Sequence, residues 1–238
     1  MCASDRRCSA RGREGGGQVR FGALLFDFDG VLIESEYAGN KQIADWLSAN
    51  GHPTTVEDSM ANFMGLAGAD FTGAIERWIG GPLPDGFHAA RAEEDARVME
   101  AGVDAVEGAV AFVRALPPAL PKAIVSSSSS AWIRRHLQHI GLEGAFGDRI
   151  YSGREHVARG KPAPDLYLLA AERLGVPIGR CAVIEDSSVG ATGAVASGAY
   201  VIGLCAGSHC ATGHGDKLRA LGVDAVAESW AEVAALIA

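Results

Sequence analysis

Three short apolar runs, each ending on residues that can do chemistry, constrain this chain more than any other feature. Ala23-Leu24-Leu25-Phe26 runs into Asp27 and Asp29, Ala123-Ile124-Val125 into Ser126, and Ala182-Val183-Ile184 into Glu185 and Asp186. Such runs suit strands buried on both faces, the pattern of a parallel sheet covered by helices. Arg149-Ile150-Tyr151, Tyr200-Val201-Ile202-Gly203-Leu204 and a weaker Ala225-Val226 add further strands. Helical patterns alternate with them: Val110, Val113 and Arg114, then Ile133, Leu137 and Ile140, then residues 165–174. The alternation predicts βαβ units and a parallel α/β sheet.

Between Tyr37 and Val103 the pattern is helical throughout. Ile43, Trp46 and Leu47 fall at i, i+3 and i+4, and the stretch from Phe87 to Glu100 is charged and alanine-rich. This block reads as an insert lying over the sheet. Residues 1–20, basic and Gly/Ser-rich without an apolar run, read as a flexible extension and not a secretory signal. No stretch reaches membrane-spanning length, and the expected location is cytoplasmic. The expected division is an extension over 1–20, a catalytic core over 21–35 and 105–238, and a helical insert over 36–104.

The charge balance, 21 Lys and Arg against 29 Asp and Glu, gives a net −8 with no basic stripe, which argues against a nucleic-acid partner. Five cysteines, an odd count without a C-x-x-C pair, fit a reducing compartment and no structural zinc. His209, Cys210 and His214 lie in a Gly/Ser-rich stretch that reads as a solvated loop near the rim of the site. His136 and His139, beside arginines, read as solvated, and Trp46, Trp78 and Trp132 as core anchors.

Ligands bind a parallel sheet beyond the carboxyl ends of its strands, where Asp27, Asp29, Ser126, Glu185 and Asp186 should converge. Carboxylates gathered there repel one another unless a cation sits among them, and an all-oxygen set favours Mg2+. A carboxylate beside such an ion can attack phosphorus, which gives Asp27 as nucleophile. Asp29 can then protonate the leaving alcohol and later take a proton from water. Gly30 allows a sharp turn into the site. The run Ser126 to Ser130 reads as phosphate-binding backbone opening a helix, with Ser127 and Ser128 as further donors.

Phe26-Asp27-Phe28-Asp29-Gly30-Val31 resembles the D-x-D-G-[TV] signature of the haloacid dehalogenase-like superfamily. Ser126 resembles its second motif, Lys161 in Gly160-Lys161-Pro162 its third, and Ile184-Glu185-Asp186-Ser187 with Gly190 its fourth, all in order from Phe21 onward. The resemblance implies a Rossmann-like core with an inserted all-helical cap, as in the subgroup of β-phosphoglucomutase and phosphoglycolate phosphatase. It implies Asp27 as nucleophile and metal ligand, and Asp29 as acid/base and as metal ligand through its carbonyl. Asp186 then binds Mg2+ directly, and Glu185 does so directly or through water. Ser126 and Lys161 grip the phosphate, helped by amides near Phe28, Asp29 and Ser127. In the cap, Phe63-Met64-Gly65-Leu66-Ala67-Gly68 resembles the loop that touches the substrate, which singles out Gly65 and Leu66. Hinges are expected near 34–37 and 103–106.

The function so implied is a Mg2+-dependent phosphatase of a small phosphorylated metabolite, such as a sugar phosphate, acting as a monomer or weak homodimer. A phosphomutase is the alternative. Mutase relatives carry an arginine after the cap-loop glycine and a lysine after the motif-two serine. Here Leu66-Ala67-Gly68-Ala69-Asp70 and Ser127-Ser128-Ser129-Ser130 carry no positive charge, which favours hydrolysis. A receiver domain would be half this length, and a catalytically silent phosphate-binding protein would not need every chemical residue intact.

Overall fold

The computed structural model describes residues 19–64, 66 and 68–238. Apart from Val19 and Arg20, the expected extension over 1–20 lies outside the described residues, as does Gly65. The chain opens with β1 (Ala23–Phe26), followed by four helices: α1 (Ser35–Ala49), α2 (Val56–Phe63), α3 (Gly68–Ile79) and α4 (Phe87–Ala101). Then come α5 (Ala109–Ala115), β2 (Lys122–Ser126), α6 (Ser130–His139), α7 (Glu143–Phe146) and β3 (Ile150–Ser152). The remainder alternates through α8 (Asp165–Leu174), β4 (Cys181–Glu185), α9 (Ser188–Ser197), β5 (Tyr200–Leu204), α10 (His214–Ala220), β6 (Ala225–Ala227) and α11 (Trp230–Ile237). No helix among the described residues is long and apolar enough to cross a membrane.

All six strands form one parallel sheet in the order β3-β2-β1-β4-β5-β6. The apolar runs make this sheet because their side chains alternate between two covered faces. Leu24, Phe26, Ile124, Ile184 and Ile202 pack under one helical layer with Phe112, Ile133, Phe146 and Trp230. Ala23, Leu25, Val125, Val183 and Val201 pack under the other with Leu166, Tyr167, Ala170 and Ala194. All four side chains of β1 are fully buried. Each large one contributes about 1.5–3 kcal/mol relative to exposure, so a polar residue inside the run would cost more than a strand this short can spare.

The strand order reverses between β1 and β4, which opens a crevice beyond their carboxyl ends. Helices α1 to α4 enter and leave the sheet close to that crevice. Their connections pair with each other: Ile33 bridges Ala105, Glu34 N–H donates to Asp104 O at 2.9 Å, and Val106 N–H to Leu32 O at 3.1 Å. The insert buries its own cluster of Ile43, Leu47, Phe63, Ile75 and Phe87, with Trp46 edge-on to Phe87 at 5.1 Å. Trp78 departs from the expected core position. It is 39% exposed, held at the rim of the insert because its Nε1–H donates to Thr54 Oγ1 at 3.0 Å.

Candidate active site

Strand register brings the chemical residues together. Phe26 pairs with Ile124 on β2 and Ile184 on β4, so the residues just beyond lie side by side at one rim. Asp27 N–H is tied to Ile184 O at 3.0 Å, which fixes the start of its loop against β4. From the loop before α8, Lys161 reaches across the rim. Its Nζ donates to Asp27 Oδ1 at 2.5 Å and Glu185 Oε1 at 2.6 Å, although 134 residues separate Lys161 from Asp27. All three side chains are at most 9% exposed.

Glu185 is saturated. Tyr167 Oη donates to Oε1 at 2.8 Å, while Oε2 accepts the amides of Asp186 and Ser187 and the Ser187 hydroxyl at 3.1–3.2 Å. A Cβ at position 190 would collide with this carboxylate, so Gly190 makes the room it needs. In this geometry Glu185 anchors Lys161, a task that its place beside Asp186 in the sequence did not suggest.

Burial, then the charge of Glu185, pushes the carboxyl groups of both Asp27 and Asp186 well above their ordinary range. Lys161 opposes the rise at both. Burial pulls the Lys161 ammonium down, but Asp27 and Glu185 outweigh it and hold the group well above its usual value. Asp27, Glu185 and Asp186 present carboxylate oxygens within 4.8 Å of one another, and one lysine cannot neutralise three acids. Asp186 Oδ1, moreover, is buried without a partner. An all-oxygen cluster with surplus negative charge and a bare oxygen fits a hard divalent cation.

Asp29 faces away from that cluster, toward α1 and α6. Ser35 Oγ and Trp132 Nε1 donate to its Oδ1 at 2.7 and 3.0 Å, and Ser128 Oγ to its Oδ2 at 2.6 Å. Ser126 Oγ lies at 3.5 Å from the same oxygen and accepts the Ser128 amide at 3.0 Å. The Phe28 side chain is fully buried in the core, so only its backbone is available to a ligand. Ser127 is exposed at the mouth. Leu66, 37% exposed, turns back with its amide on Phe63 O at 3.2 Å. Gly30 adopts φ +76°, and a Cβ there would strike the Asp186 carboxylate.

Several residues of the site escaped the reading of the sequence. Trp132, expected as a core anchor, packs at the edge of the core but gives its N–H to Asp29. His136 is buried and not solvated: its ring lies 4.0 Å from the Trp132 indole, and Nδ1 meets Trp132 O at 2.8 Å. The half-buried Glu36, in the first turn of α1, is pushed up to about 8 by burial and then by Asp186 and Asp29. Its place in the first turn after the Asp27 loop was the available signal. The supposed solvated loop is also different. His209 and His214 are 3% and 9% exposed, and both touch Asp186.

The sequence matches the haloacid dehalogenase-like hydrolase family over residues 21–198. Hexitol phosphatase A of Escherichia coli (strain K12) is 31% identical over 189 residues, 78% of this chain and 84% of that protein. The 6-phosphogluconate phosphatase of the same strain is 27% identical over 192 residues, 80% of this chain and 85% of that protein. A haloacid dehalogenase-like protein from Agrobacterium tumefaciens str. C58 has a fold similar to this one, with a TM-score of 0.83 and 31% identity. The match covers 91% of this chain and 97% of that one. With the four motifs in order and the match running from β1 through α9, the chain belongs to the haloacid dehalogenase-like hydrolase family.

Proposed function

We propose that this hydrolase removes the phosphoryl group of a small sugar or polyol phosphate, with Mg2+ held at the carboxylate cluster and Asp27 transiently phosphorylated. The chain is a phosphomonoester hydrolase. The observation that carries the proposal is the buried contact of Asp27 with Lys161 beside the bare Asp186 Oδ1. The relatives named as hexitol and 6-phosphogluconate phosphatases support the class of substrate.

Asp27 and Asp186 would hold the cation, which when bound offsets charge on the phosphate and on the nucleophile. An Asp27 oxygen attacks phosphorus, the ester P–O bond breaks, and Asp29 gives its proton to the departing alcohol oxygen. Asp29 then takes a proton from water as the water oxygen attacks phosphorus, releasing inorganic phosphate and restoring Asp27. Lys161 and Ser126 hold the phosphoryl oxygens through both steps. Helices α1 to α4 act as the cap that excludes bulk water, and the loop carrying Leu66 between α2 and α3 contacts the substrate. For Asp29 to reach the leaving oxygen, it must exchange at least one of its contacts with Ser35, Ser128 and Trp132.

Phosphate release from a panel of hexitol, hexose and aldonate phosphates tests the reading. Turnover should require Mg2+ and stop on chelation, and the product should be the free alcohol with inorganic phosphate. Absence of Mg2+-dependent release across the panel sinks the proposal. Recovery of a positional isomer of the sugar phosphate would point instead to a mutase.

Protonation gives an independent check. In the cation-free chain Asp27 and Asp186 bind protons more tightly folded than unfolded, with Glu185, Lys161, Asp29, Glu36, His209 and His214 as the charged or titratable groups around them. The stability that this contributes is full below the unfolded carboxylate range and drains away as pH rises through the raised values. A bound cation reverses that loss. Mg2+ at 100 times its Kd adds about 2.7 kcal/mol. The rise in Tm on adding Mg2+ should therefore be larger at pH 8 than at pH 5 when followed by scanning calorimetry. Equal rises at both pH values would speak against a cation among these groups.

A further inference from the structure

The turn joining β5 to α10 is organised around Asp186. His209 places Nε2 at 2.8 Å from Asp186 Oδ2. His214, at the start of α10, places its Nε2 at 2.6 Å from the Asp186 backbone carbonyl. The two rings meet edge to face with centroids 5.8 Å apart. The fold makes room for this arrangement: a Cβ at Gly207 would run into the His209 ring, and one at Gly30 would come within 2.9 Å of its Cε1. The neighbouring residue is tied as well, because Ser208 donates its amide at 2.9 Å and its hydroxyl at 2.5 Å to Glu34 Oε2.

Neutral imidazole in the Nε2–H form donates to Oδ2, which leaves Oδ1 as the free, buried oxygen of Asp186. A carboxylate with one oxygen pinned can no longer spin to offer either oxygen to solvent-side partners. It is set in a single orientation before any ion arrives, and such outer hydrogen bonds to a ligand are worth about 10–100-fold in metal affinity. His209, Cys210 and His214 also bring ligand atoms within 4.8 Å of one another. His209 Nε2 also lies 3.3 Å from Cys210 Sγ, while its Nδ1 is buried without a partner.

We propose that His209 is a positioning residue that orients Asp186 toward the divalent cation, while His214 fixes the backbone of the same residue. The inference rests on the reading of Asp186 as a metal ligand, given above.

Glutamine and asparagine separate reach from chemistry at position 209. The glutamine amide can place an N–H near the position of Nε2, whereas that of asparagine falls short. Mn2+ serves as a spin-active substitute for Mg2+, and its binding to the full chain is measured by electron paramagnetic resonance. His209→Asn should weaken Mn2+ binding by about 10–100-fold. His209→Gln should return it to within about threefold of the unmodified protein. Equal Mn2+ affinities in the two variants, whether both strong or both weak, would overturn the inference. Asp186→Asn separates this from the underlying reading. If it binds Mn2+ as tightly as the unmodified chain, Asp186 is not a ligand, and both the reading and the inference fail. If Asp186→Asn loses binding while His209→Asn keeps it, the inference alone fails.

Discussion

Asp27→Asn should lower turnover by about 10⁴–10⁶-fold, the scale on which loss of a nucleophile is felt in covalent catalysis. The substitution is suited to the question because it should leave the fold intact. The asparagine oxygen can still accept the Lys161 N–H that now reaches Asp27 Oδ1 at 2.5 Å. Removing one negative charge relieves the repulsion from Glu185 and Asp186 that helps push the Asp27 carboxyl upward. The Tm without metal should accordingly stay level or rise. Inorganic phosphate should still bind in Mg2+ buffer, as read by calorimetry, because Lys161 and Ser126 are untouched. A variant that keeps more than about one hundredth of the original turnover under these conditions would remove Asp27 from the role of nucleophile.

Asp29→Asn should separate substrates by their leaving groups. General acid catalysis contributes about 10²–10⁴-fold, but only where the departing oxygen needs a proton. Alkyl phosphates should lose the full factor. An aryl phosphate such as p-nitrophenyl phosphate leaves without help, so its first step should survive while the attack of water, which also needs Asp29, slows. A burst of about one nitrophenolate per chain, followed by slow turnover, is the expected rapid-mixing trace. The amide suits its surroundings: its oxygen can accept from Trp132 Nε1, which can only donate, while the hydroxyl of Ser128 can rotate to accept from its nitrogen. Equal losses on alkyl and aryl esters without a burst would remove proton transfer from the tasks of Asp29.

Strand positions were legible because a strand buried on both faces must be written as an uninterrupted apolar run. Ala23–Phe26 and the Cys181 to Ile184 part of β4 are such runs, and parallel pairing then puts their ends at a common level. The gathering of Asp27, Ser126, Glu185 and Asp186 at one rim follows from that register, and the loop before α8 brings Lys161 to it. Partners set by tertiary packing were not legible. Nothing local to Trp132 tells that its N–H meets an aspartate 103 residues earlier. His209 in a Gly/Ser stretch looks solvated until Gly30 and Gly207, one of them far away in the chain, leave space for its ring. Glu185 and Asp186 are adjacent acids in the sequence. Only Tyr167 and Lys161, supplied by other segments, make one of them an anchor, while His209 takes one oxygen of the other and leaves its second free.

The paired crossing at Ile33 and Ala105 works like a socket. The helical block that it admits keeps a separate apolar centre, and no member of that centre belongs to the two clusters of the sheet. A foreign block transplanted between Glu34 and Asp104 has, among the described residues, this crossing, the Ser35 hydroxyl on Asp29 and the clasp of Arg135 on the carbonyls of Met99 and Glu100 to match. Exchange that keeps Ser35 and Glu36 is expected to retune what the enzyme accepts while the carboxylates beneath stay as they are.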